Sequence, residues 1–425
     1  MGGRPGYRVA DLDDPVDIRI LNSRGGIMHG TESHGHSRSL SPNAMTIFSF
    51  AGAVLIAASS SAVTPLYHLY QESMHLTPFL ITIVFSVYVL GLLVALLTVG
   101  GLSDYVGRRP VILAALLVNA AAMILFATAD NVGQLIVARA VQGICVGTGT
   151  TTFGAAMLDT NRARGPLLNS VTAFIGLAVG AIGAAALITF APDPLHLVYD
   201  VLLGVTILLI ALLWVMPESA PKKAGALASL WPHVSVPRQS RSVFLRITPV
   251  TMASWGLGGF HLSLMPTVVA TTMGIGSPWV GGAVVATLMI TGAVSVAVFK
   301  DSPAWHVLLA GTFALCLGVA VSLFGIAQHS VAVLFAGTAI AGIGFGTAFS
   351  GTLRTLLPTS EPHQRAALLA AFYVMSYLAF SLPAIAAGLP VPVIGLSTVA
   401  YVYGSAVILL AVASMAASLW NRQPT

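Results

Sequence analysis

The chain has 425 residues, of which 56% are hydrophobic and 8% are charged, and its mean hydropathy is +0.89. In soluble domains about a quarter of the residues are charged, so this composition excludes a soluble globular protein. The formal net charge is +5. Binding of a nucleic acid requires a basic patch on a soluble face, which this sequence does not provide, so we do not expect a nucleic acid as a partner.

Apolar runs that are long enough to cross a lipid bilayer recur along the whole chain. A hydrocarbon core about 30 Å thick requires roughly 20 apolar residues in each helix. The many glycine, alanine and serine residues in these runs are typical of helices that pack closely in lipid. The runs predict an all-α integral membrane protein with twelve transmembrane helices, at 44–67, 78–99, 111–128, 132–157, 168–190, 197–216, 247–272, 278–299, 304–326, 331–357, 366–388 and 396–419.

The positive charges predict the orientation of these helices. With both termini in the cytoplasm, every lysine and arginine except Arg139 falls in the N-terminal tail, a cytoplasmic loop or an adjoining helix end. The opposite orientation would place all of these charges outside, against the positive-inside rule. We therefore expect a multi-pass protein of the prokaryotic cytoplasmic (inner) membrane with both termini cytoplasmic.

A polar tail precedes the first apolar run. Residues 1–42 are rich in glycine, arginine and aspartate, which predicts a disordered cytoplasmic tail. We interpret His29, His34 and His36 as side chains of a solvated tail rather than metal ligands, the alternative being that the sequence starts at an upstream start codon, ahead of Met28 or Met45.

The spans fall into two groups of six on either side of a polar stretch. We predict an N-terminal bundle at 43–216, a cytoplasmic linker at 217–245, a C-terminal bundle at 246–420 and a cytoplasmic C-terminus at 421–425. Gly143–Thr148 and Gly342–Thr347 are similar sequences at equivalent places of the two halves. Their Gly-x-x-x-Gly spacing puts two glycines on one helix face, where a neighbouring helix can approach closely. This repeat indicates two related bundles.

The turn between the second and third spans reads G-G-L-S-D-Y-V-G-R-R-P at Gly100–Pro110. It resembles the signature loop between transmembrane helices two and three of the major facilitator superfamily. Tyr105 departs from the pattern, because the family usually has a basic residue there. The matching residues are Gly100, Leu102, Asp104, Gly107, Arg108 and Arg109.

Two further motifs carry the resemblance, and one departs from it. Arg139-x-x-Gln142-Gly143 is similar to the fourth-helix motif of the family, whose arginine is implicated in proton coupling, and Pro217-Glu218 is similar to the end of its sixth helix. In helix five the antiporter signature is incomplete: Gly176 and Gly180 fit, but alanines replace its proline and last glycines at Ala181, Ala184 and Ala185.

The resemblance implies two pseudo-symmetric six-helix bundles that rock about a central site. We interpret the charges around the signature loop as a conformational latch, in which Asp159 pairs with Arg108. The resemblance also implies that Asp104 faces the N-terminus of helix eleven. In the alternative interpretation these charges only anchor loops and set the topology. The predicted latch residues are Gly100, Asp104, Gly107, Arg108, Arg109 and Asp159.

Arg139 lies about seven residues into helix four, which places it roughly 10 Å below the outer surface. A buried arginine costs about 2.5–3.5 kcal/mol in a helix centre, so we interpret it, with Gln142, as facing the bundle interior. The alternative is that its long stem reaches the outer interface.

The residue that carries a proton is open among several candidates. Helix one has no carboxylate, so we consider Asp200 in helix six, His261 in helix seven, and the pair His68 and Glu72. Polar and aromatic candidates for the substrate cavity are Tyr88, Asn119, Gln142, Trp255, Tyr373 and Tyr377.

The sequence indicates a transporter without catalytic chemistry. It contains no Walker loop and no arrangement of nucleophile, base or metal ligands, so we expect no enzyme activity, metal or cofactor, and a proton gradient as energy source. Cys145 and Cys316 lie in apolar runs and are interpreted as buried hydrophobes.

We expect a secondary active transporter that moves a small molecule by alternating access, as a proton-coupled efflux antiporter. One alternative is proton-linked uptake or facilitated diffusion of a metabolite, which the incomplete helix-five signature favours. A second alternative is a receptor-like membrane protein that transports nothing. A monomer is the family expectation.

Overall fold

The structure, a computed structural model, describes residues 41–420, so the predicted C-terminus at 421–425 and all but the end of the predicted tail at 1–42 lie outside it. Within that range the secondary structure is helical, without strands. Twelve helices have at least 20 residues: α1 (Pro42–Ala62), α2 (Pro78–Thr98), α3 (Arg108–Ala127), α4 (Val132–Thr160), α5 (Gly165–Phe190), α6 (Pro194–Leu213), α7 (Arg241–Ser263), α8 (Pro278–Val298), α9 (Ala304–Ala327), α10 (Val331–Leu356), α11 (Arg365–Gly388) and α12 (Leu396–Trp420).

The second six helices repeat the packing of the first six. In the first half α1 packs on α5, α2 on α4, α3 on α4 and α3 on α6. In the second half the same contacts recur six helices later, as α7 on α11, α8 on α10, α9 on α10 and α9 on α12. The two halves meet where α5 contacts α8 and α2 contacts α11. The prediction of two pseudo-symmetric bundles is confirmed.

Eleven of the helices in residues 41–420 are long and apolar enough to cross a membrane, and α7 is the exception. Its sequence contains Arg241, Arg246, Pro249 and His261, which lower its hydropathy. By packing, α7 is the counterpart of α1, since it contacts α11 as α1 contacts α5. It therefore completes the second bundle although its composition is less apolar.

The predicted span at 44–67 is longer than α1, and α1 and α7 each end shortly before a proline. After α7 a short helix at Met265–Thr267 and a π-helical turn at Val268–Thr272 extend helical structure to the predicted boundary at 272. Pro65 and Pro266 lack the backbone N–H that would continue the helix. After Pro65 the chain forms a short helix at Tyr67–Met74. The apolar run therefore overestimates the length of α1, whereas after α7 only Leu264 interrupts the helical structure before residue 272.

The proline after α7 has a consequence for the contact between the bundles. Because Pro266 has no N–H, the carbonyl group of Leu262 has no helical donor four residues later. The hydroxyl of Thr64 donates to this carbonyl at 2.9 Å, which joins the end of α1 to the end of α7. This end of the two helices lies opposite the linker. In the predicted orientation it is at the outer surface of the membrane.

The linker between the bundles is shorter than the predicted 217–245, because α7 begins at Arg241. The short polar turn Arg238–Ser240 leads directly into α7, whose first turns are charged and exposed. Hydropathy does not mark such turns, since they lie outside the apolar run.

The two glycine motifs bring equivalent helices together. A Cβ added at Gly143 would lie 2.2 Å from the Tyr88 carbonyl oxygen of α2, and one at Gly342 would lie 2.5 Å from the Leu288 carbonyl oxygen of α8. Only glycine permits backbones to approach this closely. The packing of α4 on α2 and of α10 on α8 thus has the same cause in both halves.

Candidate functional site

The Arg139 side chain is turned into the N-terminal bundle, where it is 1% exposed. Its Nη1 donates to the Ser60 carbonyl oxygen at 2.9 Å and to Gln142 Oε1 at 2.6 Å. Its Nη2 donates to the Tyr67 hydroxyl at 2.6 Å. The guanidinium therefore binds partners inside the bundle. This agrees with the inward-facing interpretation and not with the alternative, in which the side chain reaches the outer interface.

Aromatic rings surround the same guanidinium. Its carbon lies 5.4 Å from the ring centre of Tyr88, 5.7 Å from that of Tyr67 and 5.8 Å from that of Phe126. Such contacts attract a cation electrostatically and are stronger when water is excluded. Among the ion pairs of residues 41–420, none involves Arg139. Carbonyl, amide, phenol and ring groups stabilise its charge in place of a carboxylate.

A polar network extends from Arg139 across the bundle. Gln142 Nε2 donates to the Ser59 carbonyl oxygen at 2.9 Å. Asn119 Nδ2 donates to the Thr206 hydroxyl at 2.9 Å, and the Ser59 hydroxyl lies 3.4 Å from the same amide nitrogen. These contacts connect α1, α3, α4 and α6 and bring the predicted residues Asn119, Gln142 and Arg139 together.

A cluster of aromatic rings lies in the second bundle and contains three of the predicted cavity residues. The ring of Trp255 lies 5.0 Å from Tyr377, 5.8 Å from Phe380 and 6.1 Å from Phe349. Tyr373 stacks on Tyr377 at 6.0 Å. The buried Trp255 Nε1 has no hydrogen-bond partner in the described part of the chain.

This aromatic cluster continues into the first bundle. Phe174 of α5 lies 5.5 Å from Phe345 and 5.9 Å from Phe349 of α10. Phe85 of α2 lies 5.1 Å from Phe380 of α11. The rings therefore cross the junction of the bundles at two places, and a rocking motion of the bundles would separate them.

His261 is 1% exposed in α7. Its Nδ1 lies 2.9 Å from the Leu257 carbonyl oxygen one turn earlier, so Nδ1 carries the proton that is donated there. Its Nε2 is buried and has no partner within residues 41–420. This nitrogen is an acceptor that is free to take up a proton or a donor group.

The other predicted proton carriers lie apart from these groups. Asp200 is exposed on α6, which is the least buried of the eleven spans. His68 and Glu72 lie 3.5 Å apart on the short helix after α1, with side chains 36% and 66% exposed. The structure does not bring any of the three into the buried network around Arg139.

The signature loop forms a compact charge cluster at the linker end. Arg108 Nε donates to Asp159 Oδ2 at 2.9 Å, as the sequence predicts, and its Nη1 lies 2.5 Å from Asp104 Oδ1. Nη1 also donates to the Ser103 hydroxyl at 2.7 Å. Gly100 lies in the turn that follows α2. Arg108 is therefore held by two carboxylates, one from the loop and one from the end of α4.

A third carboxylate, that of Glu218 after α6, binds the N-terminus of α3. Its two oxygens accept the backbone N–H groups of Arg108 at 2.7 Å and Arg109 at 3.1 Å. Gly107 adopts a φ of 95°, and a Cβ there would lie 2.8 Å from the carboxylate. An anion is stabilised at a helix N-terminus, so Glu218 fixes the start of α3. The glycine of the motif is required both by its φ and by this contact.

A family model described as the Major Facilitator Superfamily matches residues 49–382, which is most of the chain. The chain belongs to the major facilitator superfamily. The resemblance found in the signature loop is thereby confirmed, and the protein is a membrane transporter rather than an enzyme.

Curated relatives and solved structures agree with this family. The multidrug resistance protein MdtL of Klebsiella pneumoniae is 25% identical over 283 residues, which cover 64% of this chain and 71% of that protein. MdtL of Vibrio parahaemolyticus is 30% identical over 149 residues, covering 34% of this chain and 37% of its own length. The xylose transporter XylE of E. coli, in a partially occluded inward-open conformation, has a TM-score of 0.70 at 13% identity, over 90% of this chain and 98% of XylE. A mutant of the nucleoside transporter NupG has a TM-score of 0.69 at 13% identity, over 88% of this chain and 99% of NupG.

Several residues of the site are not apparent from the superfamily motifs alone. The partners of Arg139 on α1 and beyond, Ser59, Ser60 and Tyr67, were not predicted. One signal was present, since three consecutive serines at 59–61 are unusual in an apolar helix. Glu218 carried the resemblance to the end of helix six, but its contact with α3 was not predicted.

Replacing Asp104 with asparagine is expected to lower transport while leaving membrane insertion intact. Asparagine keeps the size of the side chain but loses the charge that pairs with Arg108. Exposed ion pairs contribute about 0.2–1 kcal/mol, so the conformational equilibrium should shift by up to about fivefold. Transport rates at matched protein levels in the membrane would measure this effect. Asp301→Asn, in the corresponding loop of the second half, is the control; equal rates for Asp104→Asn and wild type would contradict the latch.

Replacing Glu218 with glutamine is expected to destabilise the N-terminal bundle. The amide keeps one acceptor but loses the charge that strengthens both hydrogen bonds to the start of α3. Hydrogen bonds to charged groups contribute about 1.5–3 kcal/mol, so the melting temperature of the purified protein should fall by several degrees. Glu361→Gln, which changes an exposed acid at the same end of the molecule, should leave it unchanged. A matching fall in that control would remove the specific role of Glu218.

Proposed function

We propose that this superfamily member exports a small, ring-containing molecule across the cytoplasmic membrane by alternating access, in exchange for protons. The observation that carries the proposal is the aromatic cluster, because it spans the junction at which the two bundles must separate. Export is further supported by the similarity to relatives named as multidrug resistance proteins.

The aromatic cluster favours an apolar substrate with flat surfaces. Phe85 and Phe174 belong to the first bundle, and Trp255, Phe349 and Tyr377 to the second. Aromatic rings bind other rings by offset or edge-to-face contacts, and binding pockets are lined mainly by such side chains. The ring contacts between the first and second bundles are lost when the bundles separate. A substrate bound between the rings of the two bundles would replace these contacts.

The burial of titratable groups supports proton coupling at His261. Among the aspartate, glutamate and histidine side chains of residues 41–420, His261 is the buried one. An ionisable residue within a membrane protein is a functional hypothesis by default. We assign the proton to Nε2, because Nδ1 is already engaged with the Leu257 carbonyl group.

Uptake or facilitated diffusion of a metabolite remains the second candidate, because helix five departs from the antiporter signature. Ala181 and Ala185 replace the proline and a glycine of that signature and pack against α8, where a Cβ at Gly282 would lie 2.6 Å from the Ala185 Cβ. Helices α5 and α8 are therefore closely packed at alanines. The antiporter signature has a proline at the position of Ala181, and this difference favours a transporter that is not an antiporter.

A paired metabolite profile of cells and medium tests the direction and the substrate together. Cells with the wild-type protein are compared with cells that carry Arg139→Ala at matched membrane levels. A compound that is enriched in the medium only with wild type supports export and identifies the substrate. The same compound enriched inside the cells would overturn export in favour of uptake.

Replacing His261 with glutamine is expected to uncouple transport from the proton gradient. Glutamine can still donate to the Leu257 carbonyl group but does not titrate. In everted membrane vesicles, the compound identified above should then dissipate an imposed pH gradient about a hundredfold more slowly than with wild type, as expected for a lost proton-transfer group. The control is His329→Gln, an exposed histidine in the loop before α10. Proton movement at the wild-type rate in His261→Gln would exclude the histidine as carrier.

A further inference from the structure

The linker between the bundles is fastened to both of them. At its start the Lys223 N–H donates to the Tyr105 carbonyl oxygen of the signature loop at 2.7 Å. Further along, the Ser235 N–H donates to the Ala367 carbonyl oxygen of α11 at 3.3 Å. The segment 224–234 therefore bridges the two bundles between fixed points.

This bridging segment exposes apolar side chains. Trp231 is 76% exposed, Leu227 is 83% exposed and Val234 is 45% exposed. Water disfavours such exposure, whereas tryptophan is enriched where a membrane protein meets the lipid headgroups. Helix α6 ends and helix α7 begins at the same membrane surface, so the linker that joins them lies within reach of those headgroups.

Positive charges flank the exposed apolar residues on both sides. Within 219–245 the chain contains no aspartate or glutamate, and its lysine and arginine side chains are exposed. None of them belongs to an ion pair of the described residues. Along the chain, the cations that flank the bridging segment are Lys222, Lys223, Arg238 and Arg241.

We propose that these residues form a binding surface for anionic phospholipid headgroups, which we call the linker surface: Leu227, Trp231 and Val234 with Lys222, Lys223, Arg238 and Arg241. Charge complementarity identifies the partner, because basic residues beside a membrane surface are attracted to anionic lipids. The apolar side chains insert at headgroup level while the cations bind phosphate groups.

The test places a fluorescent reporter next to Trp231. An environment-sensitive dye is attached at His233→Cys in a background of Cys145→Ala and Cys316→Ala, and the full chain is reconstituted in nanodiscs. The nanodiscs contain either phosphatidylcholine alone or phosphatidylcholine mixed with phosphatidylglycerol. We expect the emission to shift to shorter wavelength in the anionic nanodiscs, and the shift to disappear at high salt. Identical emission in the two lipids, or a shift that salt does not reverse, would overturn the proposal.

Neutralising the cations separates the linker surface from the general charge of the protein. Lys222→Gln with Lys223→Gln should reduce the lipid-dependent shift, and adding Arg238→Gln and Arg241→Gln should abolish it. The matched control is Arg162→Gln with Arg164→Gln, two exposed arginines in the loop between α4 and α5. An equal loss in that control, or a full shift in the fourfold variant, would overturn the assignment. Melting curves establish that each variant is folded, and the twofold variant tests the surface if the fourfold one is not.

Discussion

Replacing Arg139 with alanine is expected to abolish transport and to destabilise the N-terminal bundle. The substitution leaves Gln142 Oε1 and the Tyr67 hydroxyl without their donor in a region that water does not reach. Each buried polar group left unsatisfied costs about 1–3 kcal/mol. The melting temperature of the purified protein should therefore fall by several degrees, and export of the identified compound should drop to background.

The lysine variant separates charge from geometry. Arg139→Lys keeps a cation but loses the planar fork that reaches Ser60, Gln142 and Tyr67 from two nitrogens. We expect transport to fall by more than about tenfold although the charge is retained. Arg162→Lys, in an exposed loop, is the control and should change neither transport nor stability. Normal transport in Arg139→Lys would exclude a role for the fork.

The helices and the signature loop were predictable because their signals are local. The length of an apolar run follows directly from the thickness of the bilayer, and a charged turn between two such runs is visible in the sequence. The pairing of Arg108 with Asp159 was also predictable, since both lie at the same end of neighbouring helices. In this structure Asp104 pairs with Arg108. That Asp104 also faces the N-terminus of α11 stays a prediction.

The surroundings of Arg139 were not predictable, because they depend on which faces of distant helices meet. The sequence places Tyr67 as the last residue of a span, whereas it begins a short helix at Tyr67–Met74 and is buried there. The carbonyl group of Ser60 is an acceptor that every residue carries, so no sequence feature marks it.

The aromatic cluster shows the same limitation from another side. Trp255, Tyr373 and Tyr377 were among the polar and aromatic candidates for the substrate cavity. Phe174 and Phe349 complete the cluster, but phenylalanine is common on every face of a membrane helix. Among the ionisable candidates, His261 and Asp200 looked alike in sequence, and only packing shows that one is buried and the other exposed.

The second large effect is expected from adding a branched side chain to either glycine motif. In Gly143→Val the new Cβ would lie 2.2 Å from the Tyr88 carbonyl oxygen, and in Gly342→Val it would lie 2.5 Å from that of Leu288. A backbone oxygen in a helix cannot rotate away, so α2 or α8 must shift as a whole. Overpacking of this kind costs about 1–3 kcal/mol or more, and both variants should melt several degrees below wild type. Gly183→Val on α5 is the control, because a Cβ there meets nothing within 4 Å.

The two variants should differ in transport although they resemble each other in stability. Displacing α2 at Tyr88 moves its ring away from the Arg139 guanidinium, which lies 5.4 Å from the ring centre. Gly342→Val shifts α8 in the other bundle and leaves this contact in place. We therefore expect Gly143→Val to lose transport further than its loss of stability explains, and Gly342→Val to lose transport only in proportion to its loss of folded protein. Equal transport per folded molecule in the two variants would show that the Tyr88 ring has no part in positioning Arg139, and that the glycine motifs act through packing alone.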